Sequence, residues 1–128
     1  MDNKTLNALQ GSIKKWRRVT FEGKEDMGKL DCPLCIEFYD VGCNGCPVHE
    51  KGHHQCRDSP YTSWINHIRT YHYSGKYKCY CGECKNLAKQ EYEFLKSLLP
   101  EGQTEKISVI DIARGYILGF TRKYLRVP

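Results

Sequence analysis

Eight cysteines in a chain of 128 residues are the feature most able to do chemistry. Most of them stand in pairs separated by one or two residues, which lets a tight turn aim two sulfurs at a point about 2.3 Å away, as zinc–thiolate bonding requires. A disulfide within such a pair is strained and belongs mostly to redox chemistry. The sequence therefore predicts metal binding, with the candidate ligands Cys32, Cys35, Cys43, Cys46, Cys56, Cys79, Cys81 and Cys84.

The first candidate site is made of two CxxC pairs, Cys32 with Cys35 and Cys43 with Cys46. The gap of seven residues between the pairs is shorter than the roughly 12–20 residues of many zinc sites, so one shared ion would require a compact loop. Zinc is the favoured metal. An iron–sulfur cluster, suggested by Pro47 directly after the last cysteine, and a dithiol or disulfide system remain open.

The second candidate site contains Cys79, Cys81 and Cys84 and needs a fourth ligand. Cys56 or one histidine could supply it. Eight cysteines divide evenly into two four-sulfur sites, so we expect one or two zinc ions. An arrangement in which Cys56 joins the first site is equally allowed by the spacing.

The histidines could replace a thiolate ligand in either site. His67 and His72 are five residues apart and resemble the end of a two-cysteine, two-histidine finger, but Cys46 precedes His67 by 21 residues instead of about 12. We predict that most of the histidines are ordinary surface groups. The other three lie in the cysteine-rich segment: His49, His53 and His54.

The predicted thiolate sites do not favour catalysis. Thiolate-only zinc shells are saturated and electron-rich, whereas catalytic zinc keeps an open position and favours histidine and carboxylate ligands. The HExxH spacing occurs once, at His49–His53, but in a segment broken by proline and glycine rather than on the predicted helix that such a zinc site needs, and HxE followed by PCxxC does not occur. We therefore expect no catalytic residues and a protein that is not an enzyme.

The formal net charge of +5 is concentrated at the two ends of the chain. Such ends could bind a nucleic acid or an acidic protein, or they could simply be solvated helices. The tyrosines and lysines at positions 71–80 likewise could stack on bases or pack around a metal site. The basic residues of the ends are Lys4, Lys14, Lys15, Arg17 and Arg18, and then Arg114, Arg122, Lys123 and Arg126.

The expected compartment is the cytoplasm. The first ten residues contain no continuous apolar stretch, unlike a secretory signal, and no run of 18 apolar residues occurs. Thiols stay reduced inside cells, which favours metal ligation over disulfides. A secreted disulfide scaffold is the alternative.

Hydrophobic periodicity predicts a mainly α fold of one domain, with about four helices around a cysteine-rich zinc-binding coil and little or no β structure. Lys76–Tyr80 alternates and could form one short strand. Ser108 and Asp111 fit a capping box. The predicted segments are a basic N-terminal helix in 1–20, coil in 32–58, a helix in 59–72, the second cysteine cluster in 79–84, and helices in 86–99 and 108–125.

Several motifs between residues 13 and 100 resemble a group of small uncharacterised proteins from bacteriophages and bacteria. They are Lys15-Trp16, Asp31–Cys35 with Phe38, Gly42–Val48, Cys56 with Ser59–Tyr61 and Trp64, and Glu93–Leu95 with Ser97–Pro100. The resemblance implies a phage-linked protein of a bacterial host's cytoplasm, with no established activity. The group's pattern centres on the five cysteines from Cys32 to Cys56, and the cysteines after Lys78 depart from it.

Together these patterns favour a zinc-stabilised, non-enzymatic interaction module that binds a host or phage macromolecule. A protein is the favoured partner. The alternatives are a nucleic-acid-binding protein that uses its basic end helices and a thiol redox or iron–sulfur protein. The sequence leaves the oligomeric state open.

Overall fold

The computed structural model describes residues 1–52, 56–111 and 113. Within these residues the fold is mainly α and contains no strand, which confirms the predicted fold class. Two single 3-10 turns, Gly28–Leu30 and Tyr39–Val41, connect helices. The helices are α1 (Asn3–Glu22), α2 (Pro33–Phe38), α3 (Pro47–Glu50), α4 (Pro60–Tyr71) and α5 (Gly82–Ser97).

Helix α1 forms where an apolar stripe was predicted. Asp2 caps it by accepting a hydrogen bond from the Thr5 backbone N–H at 2.7 Å, and Gly23 ends it in the left-handed region at φ 68°. The helix runs two residues past the predicted end at residue 20, to Glu22, where Gly23 stops it. Although α1 has 20 residues, no helix in the described part of the chain is both long and apolar enough to cross a membrane.

The core lies where α1 and α4 pack against α5. The rings of Trp16 in α1 and Trp64 in α4 meet edge to face, with centroids 5.1 Å apart. Tyr92 of α5 is fully buried beside them in the same cluster. Helix α2 also lies on α1, so closely that a Cβ atom at Gly11 would be 2.8 Å from Cγ of Pro33. Glycine at position 11 therefore allows this contact.

The cysteine-rich segment differs from the predicted coil because it contains α2 and α3. Both helices begin with proline, at Pro33 and Pro47, where the missing N–H costs nothing and the fixed φ suits the first turn. The cap residues are Cys32 and Cys46, each with extended backbone. The longer of the two, α2, has six residues.

The second cysteine cluster also differs from its prediction. Lys76–Tyr80 is irregular, so the suggested short strand is wrong, although Tyr77 O accepts a 2.7 Å hydrogen bond from the Asp26 backbone N–H. Helix α5 starts four residues before the predicted position 86, because the Cys81 sulfur caps it by accepting a hydrogen bond from the Cys84 N–H.

The segment after α5 returns across α1. The Gln10 side chain donates to Thr104 O at 2.8 Å and accepts from the Lys106 backbone N–H at 3.0 Å. The Ser108–Asp111 capping box is confirmed, with reciprocal hydrogen bonds of 3.2 and 3.1 Å. Most of the predicted helix 108–125 lies outside the described residues, as do Arg114, Arg122, Lys123 and Arg126.

Two basic residues of the predicted N-terminal surface are buried instead. Lys15 contacts Asp26 at 2.5 Å and Asp31 at 2.7 Å. Arg17 contacts Glu105 at 2.6 Å and Asp111 at 2.9 Å. Because these charges are neutralised internally, the basic surface of α1 is smaller than its composition indicates.

Candidate metal centre

Four side chains from α4 and α5 meet at one point. The ligand atoms of His67, His72, Cys81 and Cys84 all lie within 4.8 Å of one another. The Cys81 sulfur is 3.5 Å from His67 Nε2, 3.4 Å from His72 Nε2 and 3.4 Å from the Cys84 sulfur. We call these four residues the His–Cys group.

The spacing of the His–Cys group matches tetrahedral metal binding. With zinc bonds of about 2.3 Å to sulfur and 2.0–2.1 Å to nitrogen, tetrahedral angles place two sulfurs about 3.8 Å apart and a sulfur and a nitrogen about 3.6 Å apart. The observed separations of 3.4–3.5 Å are close to these values. The group could therefore hold a metal ion with little side-chain movement.

Each ligand position follows from local structure. His67 lies in the last turns of α4, and His72 ends that helix, with its backbone N–H donating to Ile68 O at 2.8 Å. The irregular segment 73–80 reverses the chain, and Cys81-Gly-Glu-Cys84 begins α5. Buried packing between α4 and α5 holds the two helix ends together.

The environment of Cys81 favours its thiolate form. The hydrogen bond from the Cys84 backbone N–H, then the contacts with His67 and the Cys84 thiol, lower the pKa of Cys81 to about 6. Burial raises the pKa of Cys84. Since a thiolate at a helix N-terminus is the form that ligates metals, Cys81 is prepared for binding near neutral pH.

Cys79 and Cys56, both considered as ligands of the second site, are not in the His–Cys group. The Cys79 thiol donates to Val19 O at 3.5 Å, and burial raises its pKa to about 11. Two histidines expected at the surface take those places. From the sequence, His67 and His72 were each considered as a single fourth ligand. As a pair they were compared only with the upstream Cys46, and not with the CxxC that begins nine residues after His72.

The remaining five cysteines line a separate cavity of about 210 Å³, which we call the cysteine chamber. Cys32 and Cys46 cap the two short helices, whereas Cys43 and Cys56 have left-handed backbone at φ 65° and 69°. Cys35, in α2, completes the set. His49 and Glu91 also line the chamber, and His53 and His54 lie outside the described residues.

The chamber places acidic groups in a buried setting. A hydrogen bond with the Cys35 thiol lowers the pKa of Cys32, and burial raises the pKa of Cys56 to about 12. Burial also raises the pKa of Glu91, whose Oε1 atom is buried without a hydrogen-bond partner. Ser12 Oγ lies 3.4 Å from the Cys32 sulfur.

The sulfurs of the cysteine chamber do not converge as the His–Cys group does. Among the described residues, the His–Cys group is the set of three or more candidate metal ligands that comes together, with all its ligand atoms within 4.8 Å of one another. The structure thus separates the eight cysteines into a compact two-cysteine group, an open chamber of five, and Cys79 between α1 and α5.

Exposed tyrosines surround the His–Cys group. Tyr71 and Tyr73 are 72% and 76% exposed, and Tyr80 stacks on the His72 ring at 5.2 Å. Lys78 Nζ lies 5.3 Å from the Tyr80 ring centroid, and Lys76 is exposed. We call these five residues, Tyr71, Tyr73, Lys76, Lys78 and Tyr80, the tyrosine–lysine face.

The comparisons with known proteins give no relative for this chain. No protein-family model matches it, and neither a curated protein nor a solved structure does.

Proposed function

We propose that this protein is a zinc-stabilised interaction module without catalytic activity, which binds a macromolecular partner through the tyrosine–lysine face. The observation that carries the proposal is the position of this face on the His–Cys group. Tyr80 stacks on His72, and Tyr71 lies beside His67 with ring centroids 5.0 Å apart. A metal ion on the two histidines would fix the surface that the tyrosines present.

The donor set supports zinc with a structural role. Two imidazoles and two thiolates suit zinc, and a shell of four protein ligands leaves no position for a reactive water. Binding energy of about 10–16 kcal/mol, as in zinc-finger peptides, would stabilise the reversal between α4 and α5. Saturation of the shell is the reason to propose binding rather than hydrolysis.

The exposed tyrosines support a binding role. Tyrosine is enriched at the centres of protein interfaces, where it gives a large contact area at a small entropy cost. The Tyr80 hydroxyl donates to Lys76 O at 3.0 Å and lies 2.8 Å from Ser74 Oγ, so the loop is held in one conformation before binding. A protein is our first candidate for the partner, and the resemblance to phage proteins suggests one of host or phage origin.

Single-stranded nucleic acid is the second candidate, because the tyrosines alternate with lysines. Bases stack on exposed aromatic rings, and lysines attract the phosphates. The basic α1 that first suggested nucleic acid gives less support, since Lys15 and Arg17 are paired internally.

The test is affinity capture from bacterial extract with the zinc-loaded protein, with and without nuclease treatment. The double variant Tyr71→Ser/Tyr73→Ser removes the two most exposed rings of the face, and Ile36→Ser, at a 64% exposed position on α2, is the control. We expect a nuclease-resistant protein partner whose affinity falls about tenfold or more in the tyrosine variant, equal to about 1.4 kcal/mol, and is unchanged in the control.

Two results would change the proposal. Capture that nuclease abolishes and that weakens steeply with salt would identify nucleic acid as the partner. Capture that persists in full without both tyrosines, or zinc-dependent turnover of a small molecule, would show that this is not the function of the face.

A further inference from the structure

The cysteine chamber is not a compact tetrahedral site. Around one zinc every pair of thiolates lies about 3.8 Å apart, and the His–Cys group shows that this chain can reach such spacing. Among the five chamber cysteines, all within the described residues, Cys32 and Cys35 share a hydrogen bond, but no compact group of three or more ligand atoms like the His–Cys group forms there. They instead surround about 210 Å³, whereas one water needs about 10–15 Å³.

We propose that the cysteine chamber holds an iron–sulfur cluster, with Cys32, Cys35, Cys43 and Cys46 as the iron ligands. Four cysteine thiolates are the usual protein ligands of such clusters. Thiolates bound to different irons are held apart by the bridging sulfides, which fits sulfurs that line one cavity without all converging on one point. The sequence favours zinc at these cysteines and leaves a cluster as the alternative, and the spacing of the sulfurs selects the alternative.

Glu91 gives a second, independent indication of a bound group in the chamber. Its side chain lines the cavity, it is 4% exposed, and its Oε1 atom has no hydrogen-bond partner. A buried carboxylate beside thiols requires a nearby positive charge or loses its own. The two lysines that line the chamber are engaged elsewhere, Lys15 with Asp26 and Asp31, and Lys29 over the Tyr39 ring at 4.3 Å. Glu91 is therefore the neutral acid, and because a cluster held by four thiolates is itself anionic, the Glu91 hydroxyl can donate a hydrogen bond to a cluster sulfide.

The walls of the chamber suit a cofactor that must be kept from water. Trp16, Leu34, Val48 and Leu95 line it and are each at most 3% exposed. Ser12 Oγ, 3.4 Å from the Cys32 sulfur, can donate a hydrogen bond to that sulfur. Hydrogen bonds to sulfur and exclusion of solvent are two ways in which proteins adjust a cluster's reduction potential. Insertion of a preassembled cluster releases the protons of thiol ligands as iron–thiolate bonds form, and transfers no electrons.

The test begins with the wild-type protein, reduced and kept without oxygen, given zinc and then a preassembled iron–sulfur thiolate complex as the cluster donor, and desalted. We expect about two to four irons per chain with matching acid-labile sulfide and visible charge-transfer absorption, together with one zinc. Iron-edge X-ray absorption should show sulfur as the nearest neighbours and a second shell of iron, which a single iron on thiolates would lack. A protein that takes up zinc in the chamber and retains no sulfide would overturn the proposal.

Matched variants locate the cluster. Cys35→Ala/Cys46→Ala removes one ligand from each CxxC pair of the chamber, whereas Cys81→Ala/Cys84→Ala removes both thiolates of the His–Cys group. The first variant should lose iron and sulfide and keep zinc, and the second should do the reverse. Iron and sulfide that remain in the chamber variant would refute the assignment. If that variant does not fold, the wild-type iron, sulfide and absorption measurements decide the question, and they are independent of the function proposed for the tyrosine–lysine face.

Discussion

Lys15 is the residue whose removal tests the packing of this fold most directly. Its side chain is 4% exposed, and its ammonium group lies 2.5 Å from Asp26 and 2.7 Å from Asp31, which joins α1 to the loop before α2. Burial opposes the charge, but the two carboxylates outweigh it and raise the pKa of Lys15, so the group is charged at neutral pH. The substitution Lys15→Met keeps the length of the side chain and leaves the buried Asp26 without its cation.

We expect Lys15→Met to lower the free energy of unfolding by about 3–5 kcal/mol, because breaking a buried pair leaves an uncompensated charge. This is a large part of the roughly 5–15 kcal/mol that stabilises a typical domain. Urea denaturation of the metal-loaded protein measures the change. The control is Lys4→Met, which breaks a pair with Glu37 in which the lysine side chain is 74% exposed, and which should cost at most about 1 kcal/mol.

The reasoning also predicts the double variant. Lys15→Met/Asp26→Asn should recover part of the loss, since the buried carboxylate is then neutral. The reasoning is refuted if Lys15→Met costs no more than Lys4→Met, or if neutralising Asp26 in the Lys15→Met background destabilises the protein further.

Three further predictions follow from single contacts. His72→Ala should weaken zinc binding by more than about 100-fold, beyond the 10–100-fold effect of outer-shell partners, as measured by competition with a chromophoric chelator. Gly11→Ala should destabilise the protein although alanine favours helix by about 1 kcal/mol, because its Cβ atom would lie 2.8 Å from Cγ of Pro33; urea denaturation measures this. Burial opposes ionisation of Asp111, but the Ser108 hydrogen bonds and Arg17 lower its pKa below 3.8. Its contribution to stability is therefore present above pH 3.8 and is lost as the pH falls through the folded-state value, and Asp111→Asn should remove that part of the acid dependence.

Each of these predictions has a control and an outcome that contradicts it. Tyr73→Ala, beside the zinc ligands, should leave zinc affinity unchanged, and an equal loss there would mean that His72 acts through folding. Gly82→Ala, where a Cβ atom meets nothing within 4 Å, should be neutral or stabilising; a stabilising Gly11→Ala would disprove the close contact. Asp40→Asn, at an exposed site, should not alter acid stability, and an unchanged acid profile in Asp111→Asn would exclude the Arg17 interaction as its cause.

Local patterns predicted much of this fold. The stripe of Leu9, Ile13 and Trp16 indicates α1, and the Ser108–Asp111 box indicates a helix start, because both depend on neighbours within four residues. The start of α5 was missed because its cap is the cysteine sulfur of Cys81, which is not among the usual oxygen caps. The alternation of Lys76–Tyr80 suggested a strand, but the described residues provide no partner strand for it.

The long-range arrangements could not be read in the same way. The pairing of the two histidines with the later CxxC depends on the chain reversal at residues 73–80, whereas spacing alone directed attention to Cys46. Lys15 and Arg17 looked like surface charges because their carboxylate partners come from other segments, including Glu105. Composition counts charges but does not show which of them are neutralised inside the fold.

Helix α5 contributes residues to both candidate metal sites, the His–Cys group and the cysteine chamber. Cys84 lies in its first turn and Glu91 seven residues later, about 10 Å along the axis at 1.5 Å per residue. An ion that fixes the first turn would also orient the wall of the chamber, and so would reduce the entropy lost when the second site closes. We therefore expect the two sites to load cooperatively, with occupancy of each raising the affinity of the other by the same factor.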